Sequence, residues 1–175
     1  RRAEAEVAGL PAERVQRALP SFGCLFYFRR YVVVPNVSWG LPGIEGEVDL
    51  LCMSASRVLH EVEIKVSRAD IRADAKKRHA HVHQCVTYSW FAVPEDLAEY
   101  ALETVPDRFG VIAVRHRPEH RETPLGCSER SVPARYFTDV KRRPRKQLAP
   151  KVSDETERKL LRLGVMKMWS RKGAA

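Results

Sequence analysis

Asp49, Glu63 and Lys65 are the residues of this chain whose types and spacing point most directly to chemistry. Strand side chains alternate faces. Over Glu61-Val62-Glu63-Ile64-Lys65-Val66, with His60 before it, Glu61, Glu63 and Lys65 point one way. His60, Val62, Ile64 and Val66 point the other. In the preceding Glu47-Val48-Asp49-Leu50-Leu51-Cys52, Val48, Leu50 and Cys52 share a face and leave Glu47 and Asp49 opposite. Paired as a hairpin, the two strands would gather the acids and Lys65 on one side. Clustered carboxylates repel, and burial raises the penalty. A Mg²⁺ or Mn²⁺ ion removes that conflict, because hard cations take carboxylate and carbonyl oxygens. Asp49 and Glu63 are the expected ligands, with the Ile64 backbone carbonyl as a third and Glu47 and Glu61 at the rim. A metal held there could polarise a phosphodiester and activate a water. Lys65 could orient that water or stabilise charge on the phosphoryl oxygens. The competing reading is a solvated strand face with a cross-strand ion pair.

These residues need a particular scaffold. Residues 3–19 favour helix, with Pro11 at a first-turn position and Pro20 ending it. Cys24–Val34, rich in aromatic and β-branched residues, predicts a strand, and Pro35–Gly46 a loop. Glu47–Met53 and Val58–Val66 predict a hairpin across Ser54-Ala55-Ser56-Arg57. Ser67 and Asp70 form a capping-box variant that starts a helix running to about His83. Strand at Tyr88–Val93, helix at Glu95–Val105 and strand at Gly110–Val114 follow. That order implies a mixed sheet with helices packed on it. Further on, His116–Pro133 predicts a long loop, Arg135–Val140 a marginal strand, and Ser153 the cap of a last helix to about Arg171.

Asp49, a hairpin and then Glu63-x-Lys65 backed by a helix resemble the PD-(D/E)XK nuclease superfamily. Glu61-Val62-Glu63-Ile64-Lys65-Val66-Ser67-Arg68-Ala69-Asp70 followed by Tyr88-Ser89-Trp90-Phe91-Ala92-Val93-Pro94 is similar to small phage-encoded and DNA-repair-associated members. The literal Pro-Asp pair is absent, since Val48 precedes Asp49. The resemblance implies an α/β, restriction-endonuclease-like core of αβββαβ type with a C-terminal helical extension. It also implies that Asp49 and Glu63 bind metal, that Lys65 is the catalytic lysine, and that DNA is the substrate. Glu13, on the first helix, is the candidate for the additional acid that some members carry.

The formal charge of +9 over 175 residues suits a phosphate-rich partner without choosing among partners. Arg68, Arg72, Lys76 and Lys77 could form a phosphate-contacting ridge, and Arg142 and Arg143 belong to a basic run that could reach a nucleic-acid backbone. His79, His81 and His83 at i, i+2 spacing point around a helix rather than together, which argues against a zinc site. The division expected is a nuclease-like domain over 1–140, a basic linker over 141–152 and a C-terminal helix over 153–175. Trp169 and its apolar neighbours serve either as core or as a dimer contact, which leaves a homodimer open. Four scattered cysteines argue against a disulfide framework. No apolar run approaches the roughly 20 residues that span a bilayer, and no signal-peptide pattern is present. The expectation is therefore a soluble, cytoplasmic, metal-dependent deoxyribonuclease. Its rivals are a catalytically weak DNA-binding module on the same fold and a basic RNA-binding or scaffold protein without a site.

Overall fold

The computed structural model describes residues 10–38, 41–44, 46–75, 83–122 and 130–172. Lys76, Lys77, the start of the first helix and its expected continuation past Ala75 in the second lie outside them. The chain is α/β, built on a mixed six-stranded sheet in the order β1-β2-β3-β4-β5-β8. The strands are β1 (Tyr31–Val37), β2 (Val48–Ser54), β3 (Leu59–Ile64), β4 (Tyr88–Pro94), β5 (Gly110–Arg117) and β8 (Arg135–Arg142). β1, β2 and β3 form an antiparallel meander, β3, β4 and β5 run parallel, and β8 returns antiparallel. The helices are α1 (Ala12–Ala18), α2 (Arg68–Ala75), α3 (Ala98–Thr104) and α4 (Asp154–Lys172).

Local sequence sets the starts of three helices, by a proline at α1 and by serine caps at α2 and α4. Pro11 stands just before α1, where its missing donor costs nothing, and Pro20 prevents continuation. Ser67 Oγ accepts the Asp70 N–H at 3.1 Å and donates to the Asp70 carboxylate at 2.7 Å, so the capping box closes as expected. Ser153 caps α4 by accepting the Thr156 N–H. Arg57, at φ 61 in the β2–β3 turn, pairs with Asp154 and Glu157 and ties α4 to the hairpin.

The sheet is covered on both faces. Val15 and Ala18 of α1 and Leu19 just after it pack with Phe26 on Leu50, Val62, Trp90 and Ile112. On the other face Ile71 of α2 and Ala98 and Ala101 of α3 pack on Phe91, Val93 and Val111. Leu160 of α4 and Val152 pack there on Val34, Leu51 and Met53. The rest of α4 exposes Leu161, Val165, Met166, Met168 and Trp169.

Three segments differ from expectation. Cys24–Arg30 is a string of turns rather than strand, and its aromatic residues pack instead of pairing: Phe26 is buried against Tyr31, His60 and Trp90. β1 instead runs through Pro35, which an edge strand tolerates. The expected loop after β5 contains a small hairpin, β6 (His120–Glu122) paired with β7 (Arg130–Val132). Finally, the basic run is not a loose arm. β8 extends to Arg142, and the segment beyond it is bonded back through Arg145 N–H to Arg108, Gln147 N–H to Thr87 and Val152 N–H to Arg57. No described helix is long and apolar enough to cross a membrane.

Candidate active site

β2 and β3 pair as far as Leu50 opposite Val62 and then part. The Asp49 carboxylate fills the missing rung: its Oδ2 accepts the Ile64 N–H at 2.8 Å. In an extended backbone the N–H and C=O of one residue point to the same side. The Ile64 carbonyl therefore faces the gap, while the Lys65 N–H turns the other way to the Ala92 carbonyl of β4. The parted strands open a cleft of ≈ 380 Å³ lined by Ala12, Glu13, Gln16, Asn36, Asp49 and Ile64. Asn36 adopts φ 50, and its side chain accepts from Gln16 Nε2 at 2.7 Å. Gln16 also donates to the Asp49 carbonyl at 2.8 Å, so α1 fixes the backbone that carries Asp49. Glu13, paired with Arg17 at 2.7 Å, completes the α1 wall.

Beside the cleft, Lys65 Nζ donates to Glu63 Oε2 at 3.0 Å and lies 3.8 Å from the Asp74 carboxylate. The three side chains are only 15%, 8% and 2% exposed, respectively. Burial alone would lower the Lys65 pKa, but the charge and hydrogen bond of Glu63, with Asp74 and Asp49 adding to it, raise it overall. Lys65 therefore acts as a cation and not as a general base at ordinary pH.

The structure thus brings together Asp49, Ile64, Glu63 and Lys65. Glu61 goes elsewhere: fully buried, it accepts from Ser89 Oγ at 3.1 Å and lies 3.5 Å from His83 Nε2. Gln147 extends this network by donating to Ser89 at 2.9 Å. Glu47 is exposed ahead of β2. Arg68 lies over the Tyr100 ring and Arg72 donates to its hydroxyl, both on the exposed side of α2. Arg142, expected on a phosphate-binding arm, is occupied internally. Its guanidinium donates to the carbonyls of Leu102, Val105, Pro106 and Phe109 and pairs with Asp107. Arg143 remains exposed.

Sequence reasoning missed Asp74, Gln16 and Asn36. Asp74 follows buried Ile71 by three residues and so shares its helix face, a signal that could have singled it out. Nothing in the local pattern marks Gln16 or Asn36.

Among the described residues, no three of His, Cys, Asp or Glu converge into a ready-made metal cage. The donors at the parted strands suit a less demanding ion. Mg²⁺ keeps several waters and is held by one or two carboxylates plus substrate phosphates. Asp49 and Ile64 offer oxygens of that kind at the cleft, and Glu63 stands one residue before Ile64 with Lys65 on its Oε2.

No protein-family model matches the chain, and no curated protein does either. Among solved structures, the chain is similar to a protein of unknown function from Silicibacter pomeroyi. The identity is 19% and the TM-score 0.58, over 94% of this chain and 90% of that one. At that identity the likeness speaks for a shared fold alone.

Proposed function

We propose that this protein is a divalent-metal-dependent nuclease with a restriction-endonuclease-like core of the PD-(D/E)XK type, hydrolysing DNA phosphodiester bonds. The observation that carries the reading is the meeting of Asp49 with the Glu63-x-Lys65 strand end at the point where β2 and β3 part. In this reading Asp49, Glu63 and the Ile64 carbonyl hold Mg²⁺ or Mn²⁺. The bound metal would supply an activated water and offset phosphate charge. Gln16 and the Ile64 N–H keep Asp49 in place from two sides. Lys65, held cationic by Glu63 and Asp74, presents positive charge to the developing phosphoryl oxygens. The two-carboxylate donor set also favours a second reading, a DNA-binding module on the same fold that cleaves weakly.

One experiment separates them. Single-stranded, duplex and branched DNA are incubated with the full chain in Mg²⁺, Mn²⁺ or EDTA, beside Asp49→Asn, Lys65→Met and Lys65→Arg. The nuclease reading expects metal-dependent cutting that falls about 10²-fold or more in Asp49→Asn and Lys65→Met, with partial recovery in Lys65→Arg. Cutting that survives in Asp49→Asn and Lys65→Met would remove these residues from the chemistry. Tight binding without cutting in any metal would establish the accessory module.

A further inference from the structure

A second pocket lies on the same sheet face as α1, toward the opposite end of β3. Its ≈ 380 Å³ are lined by Phe26, Tyr31, His60, Tyr88, Trp90 and Arg143, among others. The lining is aromatic and ordered. His60 stacks on Tyr88 at 5.1 Å with the planes 26° apart, and Phe26 and Tyr31 meet its ring edge-on. Trp90 Nε1 donates to His60 Nδ1 at 3.2 Å, so the neutral imidazole carries its hydrogen on Nε2. Burial favours that neutral form, holding the His60 pKa down to about 4. The Trp90 ring lies across Gly110 of the neighbouring strand. A Cβ there would come within 2.3 Å of Trp90 Cε3 and 2.8 Å of Pro144 Cδ, so the glycine is what allows the ring its position.

The chain segments that supply the pocket lining also carry exposed aromatic and basic residues. The turn segment that supplies Leu25 and Phe26 exposes Phe22 (79%) and Phe28 (61%), which sit edge-on to Tyr27. Arg29 and Arg30 are exposed immediately before Tyr31, and Arg143 reaches the pocket from the other side. Aromatic faces interleaved with arginines are the recognition chemistry of unpaired nucleic-acid strands: rings stack on bases while guanidinium groups meet phosphates. A duplex can fill such a pocket only by flipping a base out of its stack, at the cost of unstacking and unpairing it, whereas an unpaired strand offers its base faces directly. His60 and Ile64 point to the same face and lie about 13 Å apart along β3 at the usual strand rise. The pocket and the cleft therefore share the sheet face that α1 covers, with buried Val62 of β3 between them.

We propose that the pocket of Tyr31, His60, Tyr88 and Trp90 binds a nucleobase of a single-stranded nucleic acid, with Arg143, Arg29 and Arg30 on its phosphates. As the substrate class of the cleft, this rests on the nuclease reading; as a binding site, it does not. The test is carried out in EDTA, so cutting plays no part. A short single-stranded oligonucleotide carrying 5-bromodeoxyuridine is photocrosslinked to the full chain, and the adduct is mapped by mass spectrometry. The expected adducts are on Tyr88, Trp90 or His60. Fluorescence anisotropy should show the unmodified oligonucleotide binding at least about tenfold more tightly than a blunt duplex of equal length. Phe28→Ala and Arg143→Ala, both at exposed positions whose loss leaves the fold intact, should each weaken it about fivefold. Adducts confined to other surfaces, an equal or tighter duplex complex, or unchanged binding by both variants would overturn the proposal. Mapped adducts in a protein that cuts nothing would remove the nuclease reading and leave the base pocket standing. Duplex cutting without adducts here would do the reverse.

Discussion

His60 is a titratable side chain whose surroundings commit it to one charge state. Burial holds its pKa near 4, against an ordinary value of 6.5 in the unfolded chain. Between those values the unfolded chain binds a proton that the folded chain refuses, so stability rises with pH across that window. As pH falls from 6.5 toward 4 the fold should lose at most about 3 kcal/mol from this residue, with no further loss from it below. Urea midpoints measured from pH 7 to pH 4 check this. His60→Gln, which keeps an acceptor for Trp90, should flatten that part of the curve, and an unchanged slope would show that other groups produce it. The same alternation that turns His60 inward made much of the candidate site legible. Period-two reading of β3 separates Glu61, Glu63 and Lys65 from Val62 and Ile64 without any tertiary knowledge. It could not divide Glu61 from Glu63, because what parts them is the company of Ser89 and His83 on one side and Lys65 on the other. Those neighbours come from distant segments, as do Gln16 and Asn36.

At the scale of elements, the end of β8 shows how composition can mislead. A run of Lys and Arg broken by Pro144 reads as a solvated arm, yet two adjacent arginines in it have opposite roles. Strand alternation points Arg142 and Arg143 to different sides. Arg142 meets the turn between α3 and β5, where four backbone carbonyls have no strand partner, and its planar fork satisfies all four. Removing it takes the donor from three part-buried carbonyls, those of Leu102, Val105 and Phe109. Arg142→Ala should cost about 2–3 kcal/mol in the urea midpoint, with little effect on DNA affinity measured at a temperature where the variant is folded. Arg143→Ala should change stability by less than about 0.5 kcal/mol while weakening DNA binding. The reverse pattern would return Arg142 to the nucleic-acid surface. The strands and helices themselves were largely legible, because caps and apolar runs are local signals. The exception at Cys24–Arg30 has a physical cause: its aromatic residues serve packing and exposed surface, and aromatic enrichment alone does not distinguish those uses from a pleated strand.

Across the whole molecule the charge is distributed against itself. The chain carries +9, but the cleft where the phosphate would react is lined by Glu13 and Asp49, with Glu63 one residue before the lining residue Ile64. On the proposed function, arginines elsewhere would attract a nucleic-acid strand, and the carboxylates would repel the phosphate entering the cleft until a cation compensated them. Metal and substrate should therefore bind each other's complex more tightly than the free protein. This predicts a sign that a purely structural Asp49 would not produce. Without metal, Asp49→Asn should bind a single-stranded oligonucleotide more tightly than the native chain. Its amide oxygen can still accept the Ile64 N–H, so the cleft keeps its shape. One unit charge about 4 Å from a phosphate in a solvated cleft is worth about 1 kcal/mol, roughly fivefold in affinity. The gain should shrink as salt is raised, since the cleft is open and screening reaches it. Adding Mg²⁺ should reverse it, because the native site then gains a cation that the variant holds poorly. Anisotropy titrations of both proteins, in EDTA and in Mg²⁺ at two salt concentrations, measure all three trends. Equal affinities under every condition would place Asp49 away from the phosphate path, whatever the nuclease assays show.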